Sequence, residues 1–187
     1  MTKKPQIPEV ETLSKESKHL YDVLNNESDL ACVLIATSYL DYTLASLLKR
    51  YFIESNVVNK LLDPPRGALS TFASRSDLAY RLGLIPKGLF QNLEIIGKIR
   101  NTFAHSYLSR GLSDNEIERL VNSLIPPTAH QSITIDGDDV RHSGPASLSL
   151  MGCPRDQFNM IVVFMVNRLL LTGLATKHRD KEVGGWQ

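Results

Sequence analysis

Residues 100–105 read Arg-Asn-Thr-Phe-Ala-His. Three of these side chains can share one reaction. His105 titrates near neutrality and can move a proton at a ribose 2′-hydroxyl or a leaving oxygen. Arg100 can neutralise charge developing on a phosphorane, and Asn101 can orient a hydroxyl or a phosphate. Together they describe RNA cleavage without a metal. Asn101 and His105 are four residues apart, so a helix puts them on one face with Lys98 and Glu94. Arg100 stands about 140° from His105 on an ideal helix. The spacing alone equally fits a solvated His and Asn beside a structural Arg.

A second set of candidates comes from charges on apolar helix faces. In the segment 29–53, Leu30, Val33, Leu34, Leu40, Leu44, Leu47, Leu48 and Tyr51 share one arc, and Asp41 falls inside it. In 87–109, Leu89, Leu93, Ile96, Phe103 and Tyr107 define the apolar face, with Arg100 between Leu93 and Tyr107. In 69–82, Arg75 sits among Phe72, Leu78, Ala79 and Leu82. A buried unpaired charge is costly, so Asp41, Arg75 and Arg100 are expected to form a buried charge network or to hold a ligand. A register-fixing ion pair and an Arg left free for a phosphate or an acidic partner are both open.

These residues must be positioned by helices. The apolar periodicity predicts helices over 9–25, 29–53, 69–82, 87–109, 114–124 and 155–175, with a short turn at 57–62. Ser28 is an N-cap, Gly83 a C-terminal stop, Pro86 a first-turn proline, and Ser113-Asp-Asn-Glu116 a capping box. Residues 128–154 hold Pro, Gly, Ser and Asp around Ser132-Ile-Thr-Ile135, which fits one short β-hairpin or an irregular excursion. The expected fold is all-α: an antiparallel helical bundle over 9–175 with that one non-helical insertion. A flexible tail is expected over 1–8 and a polar one over 176–187. The last helix is nearly apolar all round, so it lies centrally or at a homodimer interface.

Composition narrows the function classes. The chain has 187 residues, enough for one self-sufficient core, with 42% hydrophobic and 22% charged residues. Lys+Arg 21 against Asp+Glu 20 leaves a net charge of +1, which disfavours a strongly basic nucleic-acid binder. Two cysteines, Cys32 and Cys153, exclude a disulfide framework and suit the cytoplasm. No apolar stretch follows Met1-Thr-Lys-Lys4, and the longest apolar run, Met160 to Val166, is short for a bilayer, so no membrane is expected. His130, Asp136, Asp138, Asp139 and His142 match no ligand spacing, and a turn explains the aspartates; no metal and no cofactor are expected. Ala79, Gly83 and Leu89 have helix-turn-helix offsets, but Pro86 and the long apolar-striped helix after it fit a bundle better, against direct DNA reading.

Two resemblances bear on function. Arg100-Asn101-x-x-x-His105 resembles the active-site motif of HEPN domains, small helical bundles, often dimeric, many of which are ribonucleases. The run Leu69-Ser-Thr-Phe-Ala-Ser-Arg75-Ser-Asp-Leu-Ala-Tyr-Arg-Leu-Gly-Leu-Ile85, then Ile95 to His105, then Leu112 to Ile117, looks like the mannitol operon repressor (MltR-like) family. This second resemblance extends from about Asp29 to Pro127. It implies an all-helical transcriptional regulator without an obvious DNA-reading motif, acting through a protein partner and self-association. The first implies a metal-independent ribonuclease or RNA binder. A purely structural, antitoxin-like binder is a third reading.

Overall fold

A computed structural model describes residues 10–53, 56–63, 67–104, 111–127, 130–135, 138–143 and 152–176. The expected tail 1–8, His105 and Tyr107, and nearly all of the expected tail 176–187 lie outside these residues.

Local chemistry sets the helix ends. α1 spans Val10–Asn26 and α2 spans Asp29–Tyr51. Between them Ser28 caps α2, its hydroxyl accepting from the Ala31 N–H at 3.3 Å. Lys49 and Arg50 in the last turn of α2 complement its dipole. α3 is Asn56–Leu62 and α4 is Phe72–Arg81, capped by Thr71, which accepts from Ser74 N–H at 3.1 Å. Gly83 ends α4 at φ 72°, where a side chain would be strained. Its N–H donates to Tyr80 C=O and that of Leu84 to Ala79 C=O, the paired bonds of a Schellman motif. α5 covers Lys87–Ala104 and α6 Asn115–Asn122. The α6 cap is Asp114, accepting from Glu116 N–H at 3.1 Å, one residue later than the Ser113 box predicts. β1, His130–Ile135, pairs antiparallel with β2, Asp138–Ser143, in a register that sets Ile133 opposite Val140. α7, Pro154–Ala175, follows. The fold is therefore all-helical apart from one hairpin.

α2 touches α1, α3, α4, α5 and α7, while α7 packs on α1, α2, α6 and β1. The shared core includes Leu40, Leu44 and Leu47 of α2, Leu93 and Ile96 of α5, and Phe158 and Ile161 of α7. Val162, Val163, Met165, Val166, Leu169 and Leu171 are buried as well. The apolar circumference of α7 is thus largely consumed inside one chain, and does not by itself ask for a dimer contact. By length and apolar character alone α2 (23 residues) and α7 (22 residues) would each be long enough for a bilayer, as the core helices of a bundle can be. In the fold much of that apolar surface is spent on mutual packing.

A polar seam joins α1, α2 and α7. Arg155 stands in the first turn of α7, an unfavourable end for a cation. Its Nη1 donates to Asp29 Oδ1 at 2.5 Å, and its Nη2 donates to the carbonyls of Leu24, at 2.6 Å, and Glu27 at the end of α1. The other carboxylate oxygen of Asp29 accepts from the Leu112 N–H at 2.7 Å, drawing in the strand of chain before α6. Deeper in, fully buried Asn159 donates to Asn25 Oδ1 at 2.7 Å and accepts from Cys32 Sγ at 3.0 Å.

Two outcomes follow. Arg155→Ala strands Asp29 and two carbonyls, and is expected to lower stability by about 2–4 kcal/mol in urea unfolding. Burial pushes the Cys32 thiol from 9.0 up to about 11, Arg155 pulling it slightly down and Asp29 slightly up. In native protein a thiol reagent at neutral pH should label exposed Cys153 and spare Cys32. The folded state holds the Cys32 proton more tightly than the unfolded state. This contribution to stability is complete below pH 9 and is lost as the pH rises towards 11. In a Cys32→Ala protein that alkaline slope should flatten.

Candidate functional site: a cleft between α2, α4 and α5

The start of α4 leans over the middle of α2 and the last turns of α5. The cleft between them, of about 480 Å³, is lined by Leu34, Thr37, Ser38 and Asp41 of α2, by Ser70, Thr71, Phe72 and Ala73, and by Gly97, Arg100 and Asn101 of α5. Gly97 keeps it open: a Cβ there would already lie 3.7 Å from the Phe72 ring.

Arg75 forms the floor. Its side chain is 6% exposed, and Nη1 meets Asp41 Oδ2 at 2.6 Å. Nε donates to the Leu69 carbonyl at 2.8 Å and Nη2 to the Leu62 carbonyl at 2.6 Å. The guanidinium is therefore fully engaged. It locks the connection after α3 to α4 while α2 supplies the counter-charge. Asp41 is half-buried, and its Oδ1 is covered and has no hydrogen-bond partner.

Arg100 does not join this pair. It is exposed, and its Nη1 donates to Asn101 Oδ1 at 3.1 Å. The expected three-membered network is thus a two-membered one, Asp41 with Arg75. Leu89, Leu93 and Ile96 on the same arc are buried, so the exposure of Arg100 comes from its place at the cleft and not from the phase of the helix. Arg100 is left on the shoulder beside Gly97, where the open cleft gives it a path to water. Asn101 is exposed too, and His105 lies outside the described residues, so the Arg100, Asn101 and His105 constellation has two placed members. Among the described residues no group of His, Cys, Asp and Glu could hold a metal.

The cleft continues onto an exposed apolar surface of α2. Leu34 (40% exposed), Tyr39 (44%) and Tyr42 (73%) lie along it, and Leu30 (46%) is exposed one turn before Leu34. Leu34, Ile35, Ser38, Tyr39 and Tyr42 border a shallow hollow of about 410 Å³. Leu30 and Leu34 were expected in the core. They share an apolar arc with Leu40 and Leu44 on an ideal wheel, but the true core is centred on Val33, Ala36, Leu40 and Leu47. Tyr39 and Tyr42 escape a reading by core periodicity altogether. The available signal is that α2 is apolar on more sides than one helix can bury.

No family model matches the chain, and no curated protein matches it. Among solved structures it is similar to a chain in the X-ray structure of the MtlR–HPr complex from Escherichia coli, at 22% identity and a TM-score of 0.53. The likeness covers 85% of this chain and 95% of that one. At such identity it is a likeness of fold, and the bundle described above is MtlR-like.

Asp41→Ala would leave the Arg75 guanidinium buried with its carbonyl bonds alone. A loss of about 3 kcal/mol is expected in denaturant unfolding. Arg100→Ala, at an exposed position, should cost under about 0.5 kcal/mol in the same assay.

Proposed function

We propose that this chain is an MtlR-like regulator that acts by holding a protein partner on the exposed face of α2. The observation that carries this is the cluster of Leu34, Tyr39 and Tyr42 left in water around a shallow hollow beside an open cleft. Tyrosine and large aliphatic side chains clustered at a surface are the usual anchors of protein interfaces. On this reading control of transcription passes through the partner. The similar solved structure is itself a complex with HPr, which makes HPr the first partner to try. A second copy of the chain is the other occupant consistent with a homodimer.

The test is titration calorimetry with HPr, alongside sedimentation of the protein alone. Leu34→Glu and Tyr42→Glu change exposed positions, so both proteins should fold. Each should weaken HPr binding by at least about tenfold. A wild-type dimer that both substitutions dissociate would assign the face to self-association. Unchanged HPr binding and unchanged mass in both variants would refute the α2 assignment.

A second reading is favoured by one specific feature. Arg100 stays at the rim of the cleft, turned to Asn101 and uncommitted to Asp41, and so is available to a phosphate. On this reading the protein binds or cleaves RNA through Arg100, Asn101 and His105. Cleavage would persist in EDTA and leave a 2′,3′-cyclic phosphate. His105→Ala should slow it by roughly 10²–10⁴. Intact RNA with wild-type protein ends this reading.

A further inference from the structure

On the side of the molecule formed by α5, α7 and the chain after α6, a second cavity of about 230 Å³ is bounded by Leu89, Ile161, Phe164, Met165 and Arg168. The Ile125-Pro126-Pro127 segment closes another side, with exposed Ile125 and Pro126 at the rim. This wall is held rigidly. Asn92, buried at 5% exposure, donates from Nδ2 to the Ile125 carbonyl and accepts at Oδ1 from the Ile125 N–H, both at 2.8 Å. Asn92 thus has both amide ends spent and offers the cavity nothing. A wall clamped to a neighbouring helix by a matched pair of bonds is a preformed pocket rather than a packing flaw.

Arg168 is the anomaly. Its Nε and Nη1 are both covered and neither has a hydrogen-bond partner. Burial lowers its pKa from the usual guanidinium value. The other arginines of the fold differ in their terminal nitrogens: Arg75 has every nitrogen engaged, and Arg155, whose Nε is also covered without a partner, still spends both terminal nitrogens on a carboxylate and two carbonyls. Among the described residues none that lines the cavity is acidic. Arg168 is half-buried and its Nη2 is not among the covered atoms, so one terminal nitrogen stays within reach of an anion, and a guanidinium next to an apolar wall suits a carboxylate.

We propose that this cavity is a binding site for a small monocarboxylic acid, the carboxylate on Arg168 and an apolar ring or short chain against Leu89, Ile161 and Met165. The size fits: a dry cavity of about 150 Å³ already takes benzene, so this one accommodates an acid the size of benzoate or hexanoate. The site lies on α5 and α7, away from the α2 face, and does not depend on any reading of that face. It gives a partner-binding protein a place to sense a metabolite.

The experiment uses the full chain with benzoate and hexanoate as probes, and benzyl alcohol, hexanol and inorganic phosphate as controls. Thermal unfolding and calorimetry are read for each. The acids should raise the unfolding temperature and bind with Kd of about 0.1–1 mM, while the alcohols and phosphate do so at least about tenfold more weakly. Arg168→Met keeps the length and apolar character of the side chain and should abolish the acid effect. Gly88→Leu supplies an independent check. A Cβ at Gly88 meets nothing nearer than Ile125 Cγ2 at 3.9 Å, so the variant should fold while its side chain occupies the cavity and blocks the acids. Equal response to acid and alcohol, equal response to phosphate, or acid binding retained in Arg168→Met or Gly88→Leu would overturn the proposal. So would a wild-type protein indifferent to both acids.

Discussion

Arg155 carries more of the architecture than any other polar residue. It enters in the first turn of α7, where the helix dipole opposes it, and is stable there only because Asp29 and the end of α1 supply negative charge. Meeting that demand forces three helix ends to one point. The C-terminus of α1, the N-terminus of α2 and the N-terminus of α7 converge, and the Leu112 N–H is drawn in through the second oxygen of Asp29. With those ends fixed, α7 can only run alongside α1 and α2, and its apolar side chains go to the core. The seam of Asn25, Asn159 and Cys32 just below keeps the same helices in register with bonds that a purely apolar contact would not specify.

Apolar surface is the second constraint, and it is distributed unevenly. Both long helices are apolar over more than one face. α7 has neighbours on most sides and hides this. α2 has neighbours on five elements yet still leaves Leu30, Leu34, Tyr39 and Tyr42 in water. The exposed arc is where the fold stops satisfying itself, and that is why binding is sought on α2 and not on α7.

Arginine shows how one residue type takes different roles by position. Arg75 and Arg155 are tethers, with their donors directed at carbonyls and at one carboxylate each. Arg100 faces solvent at the edge of a cleft. Arg168 is covered without a partner. Tethers are expensive to remove but chemically closed. The two remaining arginines can still meet something outside the chain, and both border hollows.

The sequence by itself determined the helical class, the order of the helices and most of their ends, because these depend on periodicity and on caps that act within a few residues. Ser28, Gly83 and the pairing of Asp41 with Arg75 were legible for that reason: each follows from a local rule or from charge on an apolar arc. That the chain leaves the helical pattern at 128–154 was legible from composition, while the choice of a hairpin over an irregular excursion came from the strand pairing. What only the tertiary structure decided was which side of an ambiguous helix became the core. An ideal wheel put Arg100 and Leu34 inside; packing around Val33 and Ala36 turned the core of α2 away from Leu34, and the cleft beside Gly97 left Arg100 open to water. The bonds of Arg155, the clamp of Asn92 on Ile125 and the solitude of Arg168 join residues 33 or more positions apart, or depend on what fails to approach. No pattern along the chain encodes such distances. They arise when helices with more apolar surface than they can bury compete for neighbours, and the outcome belongs to the assembled bundle.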